Sequence, residues 1–259
     1  MQNSRQTDIK RIGMWAVPRS MATALLCAWQ NRSDTVVWDE PLLPAYVQHY
    51  GDDLGFTREH LVNVNLETDY HKVIAQLTGP LPEGKTISYQ KHQPHNLSIE
   101  ITGLEWLQVL HNCFLIRQPK DMLLSLHKLV PSFTLGQTGW PQLKHLFDHC
   151  RHSTGKTPPL IDSTDLQNNP RETLSLLCEA IGVTFSESML EWQAKDVSVM
   201  EDNEKSWYEA AWQATGFKPY QPKQTHLPES LRPIFEECDT IYQYLYQCRL
   251  NNTFANRHE

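Results

Sequence analysis

Ile12-Gly13-Met14-Trp15-Ala16-Val17-Pro18-Arg19-Ser20-Met21-Ala22-Thr23-Ala24-Leu25-Leu26 is the stretch that decides how the chain is read. An apolar run over 12–17 meets a short polar turn, and a helical apolar pattern (Ala24, Leu25, Leu26, Ala28, Trp29) follows at once. That pattern predicts strand, tight loop and helix. Such a loop sets free backbone N–H groups and the positive end of a helix dipole at the carboxyl end of a strand, a ready anion site. Arg19 adds a fixed positive charge with planar donors, and Ser20 and Thr23 add hydroxyls. The expectation is a loop that holds a phosphate or sulfate group of a nucleotide.

Outward from this loop, the pattern repeats. A short strand over 35–38 ends on Asp39-Glu40-Pro41, and a short helix runs from Pro44 to about Tyr50. Helical patterns follow at 59–64 and 70–77, before a Gly/Pro break at 79–84. A third strand over 86–90 delivers Lys91, His92 and His95 to its end. Residues 104–110 read as helical. Cys113-Phe114-Leu115-Ile116 is a fully apolar fourth strand that ends on Arg117 and leads into a helix near Pro119. A helix over 141–150 and a fifth strand over 159–162 come next. Asn169-Pro170-Arg171-Glu172 has the residues of a side-chain cap, a first-turn proline and a glutamate three after the cap. Gly182 stops that helix, and a last one spans 234–250.

Strands spaced by helices predict an α/β fold of three layers, with a mostly parallel central sheet of about five strands. The expectation is a single domain over 1–259, with a helical C-terminal part from about 186. In such sheets ligands bind at the carboxyl ends of the strands. Arg19, Glu40, Lys91, His92 and Arg117 all fall at those predicted ends.

Composition narrows the classes. The 259 residues are 40% hydrophobic, enough for a sizeable core. No run of about 18 apolar residues is present, so no membrane span is expected. The polar residues 1–8 lack the apolar core of a signal peptide, and a cytoplasmic location is the simplest reading. A net charge of −7 without a basic tract argues against a general nucleic-acid binder, yet permits an anionic nucleotide held by a local cationic cluster. The six cysteines are widely spaced without Cys-x-x-Cys and read as buried thiols. His145, His149 and His152 lack the His-Glu-x-x-His arrangement and read as a solvated helix face, so no metal is expected.

The loop is not a Walker A motif, because Gly-x-x-x-x-Gly-Lys-[Ser/Thr] is absent. A second element sharpens its reading. Arg117 ends an apolar strand, and Ser125 follows eight residues later, about two helical turns on, so both can face one side of a cleft. An arginine at the end of a buried strand needs an anionic partner.

With these two elements the chain resembles the sulfotransferases that use 3′-phosphoadenylyl sulfate (PAPS). In that family a Pro-[Lys/Arg]-Ser-Gly-[Ser/Thr]-[Ser/Thr] loop holds the 5′-phosphosulfate, and Pro18-Arg19-Ser20-Met21-Ala22-Thr23 is similar to it. A strand-ending arginine with a serine eight residues on holds the 3′-phosphate there, as Arg117 and Ser125 are spaced here. The segments 169–190 and 207–220 resemble the family's last core helix and the C-terminal stretch of its bacterial members. Met21 and Ala22 depart from the motif, standing where the family has Gly and Ser or Thr. A positive φ at Met21 would strain the loop, and Ala22 removes a hydroxyl donor.

The resemblance implies transfer of a sulfuryl group from PAPS to a hydroxyl or amine of a small-molecule acceptor, leaving adenosine 3′,5′-bisphosphate (PAP). Arg19 is then the cation facing the charge that grows on the bridging oxygen. A base must take the acceptor's proton. Glu40 is the first candidate, resembling the carboxylate of some bacterial and carbohydrate-acting members. His92 is second; His92 or His95 lies where aryl-acting members keep a Lys-x-His motif, although the spacing here is Lys-His. Two other readings stand beside this one: a nucleotide-binding module without turnover, motivated by Met21 and Ala22, and a P-loop-type kinase.

Overall fold

The computed structural model describes residues 9–51, 66–194 and 202–251. Its centre is a sheet of five strands: β1 (Lys10–Ala16), β2 (Thr35–Asp39), β3 (Ile87–His92), β4 (His111–Ile116) and β5 (Leu160–Asp162). Every pairing is parallel, in the order β2-β3-β1-β4-β5. From β1 the chain moves to one side for β2 and β3, then crosses to the other side for β4 and β5. The switch point therefore lies at the carboxyl end of β1, where the Pro18–Thr23 loop stands.

Parallel strands covered on both faces read as continuous apolar runs, and β1 does so. Ile12, Met14 and Ala16 pack on one face against α1 (Ala22–Gln30), together with Leu174, Leu177 and Cys178 from the helix Pro170–Ala180. Trp15 and Val17 pack on the other face. That second layer is built by α2 (Leu43–Tyr50), α3 (Tyr70–Thr78), the short α4 (Ile99–Thr102), α5 (Pro119–His127), α6 (Trp140–Thr154) and the last helix, Arg232–Tyr246. Two further helices, α7 (Ser163–Asn168) and α8 (Pro170–Ala180), follow β5 directly. Then come α9 (Asp202–Trp212) and α10 (Arg232–Tyr246). The three-layer architecture and its strand count match the expectation from sequence.

Three local readings change. β3 runs through His92, so Lys91 and His92 lie inside a strand rather than beyond it. Residues 105–109 form a 3₁₀ turn. The helix of Pro170–Ala180 has no side-chain cap: Asn169 sits at φ −136°, ψ 63° and its amide bonds no helix N–H, although Gly182 does turn with φ 68°. The capped start lies earlier, where the Asp162 carboxylate accepts from the Thr164 N–H at 2.7 Å and opens α7 straight out of β5. The helical pattern at 59–64 lies outside the described residues. Of the six cysteines, Cys248 is half-buried and the other five are buried; all are free thiols.

Candidate active site

Four strand ends and α1 frame a cleft of about 590 Å³, within the usual range for small-molecule sites. Its lining includes Pro18, Arg19, Ser20, Met21, Ala22 and Thr23 from the loop, Glu40 after β2, Lys91 at β3, and Arg117 and Ser125 from β4 and α5. α9 crosses it with Trp207 and Tyr208, and Lys218 and Lys223 line the far end.

The loop carries backbone strain. Among the described residues, non-glycine positive φ occurs at Arg19 (60°), Met21 (77°) and Glu40 (48°), all three in this cleft. A left-handed L-residue costs about 1–2 kcal/mol, and such strain gathers at functional sites. Met21 is the residue before α1 and adopts the left-handed conformation expected of the family's glycine. The loop keeps its shape despite the side chain, which leans on the apolar layer beside α1. The first N–H groups of α1 have no partner within the helix and face the cleft end of the loop.

The hydroxyls divide their work. Ser20 donates to the Val17 carbonyl at 2.6 Å, which closes the loop and commits its proton. Thr23 Oγ1 accepts from Lys91 Nζ at 3.1 Å and keeps its own proton to donate.

Arg19 and Arg117 stand side by side. Arg117 Nη1 donates to the Arg19 backbone carbonyl at 2.7 Å. Arg19 Nε donates to Ser125 Oγ at 3.1 Å and its Nη1 to the Trp207 carbonyl at 2.6 Å, with the guanidinium 5.7 Å from the Trp207 ring. The spacing of Arg117 and Ser125 thus does bring both into one cleft, with Arg19 between them. Burial first, and each other's charge for Arg19, pull these guanidiniums below the usual arginine range. Lys223 is lowered too, by burial and then by Arg117. Asp121 and then Asp162 are the carboxylates near Arg117, and Asp121 is engaged by the Tyr220 hydroxyl at 2.8 Å. Among the described residues nothing hydrogen-bonds the buried Arg117 Nε. A crowd of cations with an orphaned buried donor is short of an anion, and a phosphate group fits that deficit.

At the other end Lys91 is fully buried and bonded three ways: to Asp39 Oδ1 at 2.6 Å, Glu40 Oε1 at 2.8 Å and Thr23 Oγ1 at 3.1 Å. Burial pulls its ammonium towards neutrality, but Asp39 and Glu40 outweigh this and hold it well above the usual lysine range. Gln93 Nε2 donates to Glu40 Oε1 at 2.7 Å. The Tyr208 ring lies 5.4 Å from Lys91 Nζ.

His92 is elsewhere. Strand neighbours point to opposite faces, so with Lys91 in the cleft His92 turns into the core beneath. It is 1% exposed, stacks on Trp15 with ring centroids 4.5 Å apart, and Nε2 lies 3.2 Å from Gln90 Oε1. Burial pushes its imidazole down to about 3. As a base for a substrate in the cleft, His92 is therefore misplaced and too weak. His95 is buried in the 3₁₀ turn Pro94–Asn96. Gln93, the next outward-facing position, occupies the cleft instead. Gln93 and Lys223 went unnoticed in the sequence; alternation from Lys91 could have found the first, whereas no local signal marks the second.

A sulfotransferase domain model matches residues 10–235. The chain belongs to the sulfotransferase domain family. Over 244 residues it is 30% identical to branched-chain-amino-acid aminotransferase-like protein 2 of Arabidopsis thaliana, covering 93% of this chain and 42% of that protein. The chain thus spans about two fifths of the length of the curated relatives it matches. Among solved structures it resembles the sulfotransferase domain from the Synechococcus PCC 7002 olefin synthase, with a TM-score of 0.59, 17% identity, and 94% and 98% of the two chains covered. It also resembles the sulfotransferase domain from the curacin biosynthetic pathway, with a TM-score of 0.51, 16% identity, and 91% and 98% covered. These identities carry the shared fold. Among the described residues of this sulfotransferase domain, no His/Cys/Asp/Glu group could hold a metal ion and no helix is long and apolar enough to cross a membrane.

Proposed function

We propose that this domain moves a sulfuryl group from PAPS to a hydroxyl, or an amine, of a small-molecule acceptor. The observation that carries the reading is the pairing of two half-buried guanidiniums, one with a buried Nε that no described residue bonds, across a strained loop at a helix N-terminus. It provides two anion-binding positions in one cleft, as a nucleotide phosphorylated at both ends requires. Arg117, Ser125 and Lys223 would hold the 3′-phosphate. The loop N–H groups, Thr23 and Arg19 would hold the 5′ end. The donor, when bound, supplies an activated sulfuryl group whose S–O bond to phosphate breaks as a new S–O bond to the acceptor forms.

Arg19 faces the negative charge that grows on the departing bridging oxygen, and a charge that grows is stabilised more in the transition state than before it. Glu40 takes the acceptor's proton. It lines the same cleft as Arg19, and its carboxylate is oriented by Lys91 and Gln93.

Affinity for PAP against ADP tests the donor assignment by calorimetry. Arg117 and Ser125 each contribute a charge-assisted bond of about 1.5–3 kcal/mol to a 3′-phosphate, so PAP should bind about 10²–10⁴-fold more tightly. Arg117→Met should erase most of that preference. Equal affinity for PAP and ADP in the parent protein would sink the reading in favour of a kinase-type site. Turnover is checked by offering labelled PAPS to a panel of alcohols, phenols and amines. Tight PAP binding with no transfer, even to water, would leave the non-catalytic module that the strained Met21 position favours.

A further inference from the structure

The Asp39-Glu40 pair breaks the rule that adjacent residues leave a strand on opposite sides. Asp39 is in register with Lys91 across the β2–β3 ladder, so its carboxylate reaches the ammonium directly. Glu40 should then point away. Its left-handed backbone, φ 48°, with its N–H donating to the Lys91 carbonyl at 2.9 Å, turns it back onto the same ammonium. One cation is therefore shared between two carboxylates.

The bond count is telling. Lys91 has three protons and three acceptors: Asp39, Glu40 and Thr23. None is left over for a ligand. Both donors to Glu40, from Lys91 and Gln93, land on Oε1, and among the described residues no donor reaches Oε2. The carboxylate is clamped through one oxygen in a residue 6% exposed that lines the cleft.

We propose that Asp39 is a positioning residue for Glu40: by sharing Lys91 it locks the clamp that leaves Oε2 to accept the proton, and it spares Glu40 the undivided pull of the cation. This rests on the reading of Glu40 as the base. A base tied to an unshared ammonium is a weak one, because the pair's attraction is lost on protonation. With Asp39 ionised, the cluster of Asp39, Lys91 and Glu40 carries one net negative charge. Its other titratable neighbours are Tyr208 on α9 and Tyr89 below Lys91 in β3.

The test uses the chain labelled with ¹³C at the glutamate carboxyls, with the Glu40 signal assigned by its absence in Glu40→Gln. Asp39→Asn should move the Glu40 titration midpoint down by about one pH unit, the effect of one charge nearby at an intermediate dielectric. Asp39→Glu keeps the charge and should leave the midpoint within about 0.3 unit. In transfer from labelled PAPS to the best acceptor of the panel, Asp39→Asn should lower kcat about threefold or more, the Brønsted response to a weaker base, with the PAP dissociation constant within about twofold of the parent. Asp39→Ser carries the same expectation and guards against a folding defect peculiar to the amide. An unmoved or raised midpoint in Asp39→Asn and Asp39→Ser overturns the role of Asp39, as does a tenfold loss of PAP affinity. Full transfer by Glu40→Gln overturns the base assignment instead, so the two failures are told apart.

Discussion

Replacing Arg19 with alanine is expected to lower sulfuryl transfer by about 10²–10³-fold, the usual cost of removing one preorganised donor from a developing charge. PAP affinity should change by less than about tenfold, because the group that Arg19 serves best exists only in the transition state. Three features of the structure keep this variant interpretable. The Arg117 guanidinium bonds the backbone carbonyl of residue 19, which alanine retains. The left-handed backbone at φ 60° is equally strained for either side chain. Removal also relieves the repulsion that Arg117 exerts on Arg19, which offsets part of the lost attraction for the ligand's 5′ end. Single-turnover transfer from labelled PAPS, with calorimetry for PAP, reads both quantities. A transfer rate within about threefold of the parent removes Arg19 from the reaction.

The second large effect concerns stability. His92 stays neutral in the folded protein until about pH 3, because burial between Trp15 and Trp106 disfavours its cation. In the unfolded chain it takes up a proton near pH 6.5. Below that value the unfolded state binds more protons, so stability is complete above pH 6.5 and falls as pH drops towards 3. The slope is up to about 1.4 kcal/mol per pH unit, or about 2 kcal/mol between pH 7.5 and 5. Urea unfolding of His92→Gln, set against the parent at both pH values, isolates this contribution from the other histidines. The variant should lose about 2 kcal/mol less than the parent on acidification. Equal losses in the two proteins contradict the buried neutral state.

Much of the fold is legible in the chain because its signals are local. The run from Ile12 to Val17 has to be a strand covered on both faces, and Trp15 and Met14 are found on opposite sides of the sheet. Arg117 and Ser125 are placed by the fixed repeat of one helix, so their shared cleft follows from a spacing of eight residues. The helix cap at Asn169 fails for the converse reason. The residues suit a cap, but the backbone there is committed to the turn out of α7, and Asp162 makes the cap that opens this helical pair.

Local signals set the order of strands and helices, the polar loop at the end of β1 and the cationic end of β4. Each depends on residues near one another in the chain. Tertiary structure alone decided which polar residues share the cleft. Lys91 and His92 are adjacent in sequence and equally polar, yet β3 continuing through residue 92 sends one to the cleft and the other under Trp15. Asp39 and Glu40 should part company, and a positive φ at Glu40 reunites them on Lys91. Lys223 joins Arg117 from more than a hundred residues away. Strand phase, one left-handed residue and long-range packing carry no mark in composition or spacing, because their energies are settled by neighbours that only the folded chain supplies.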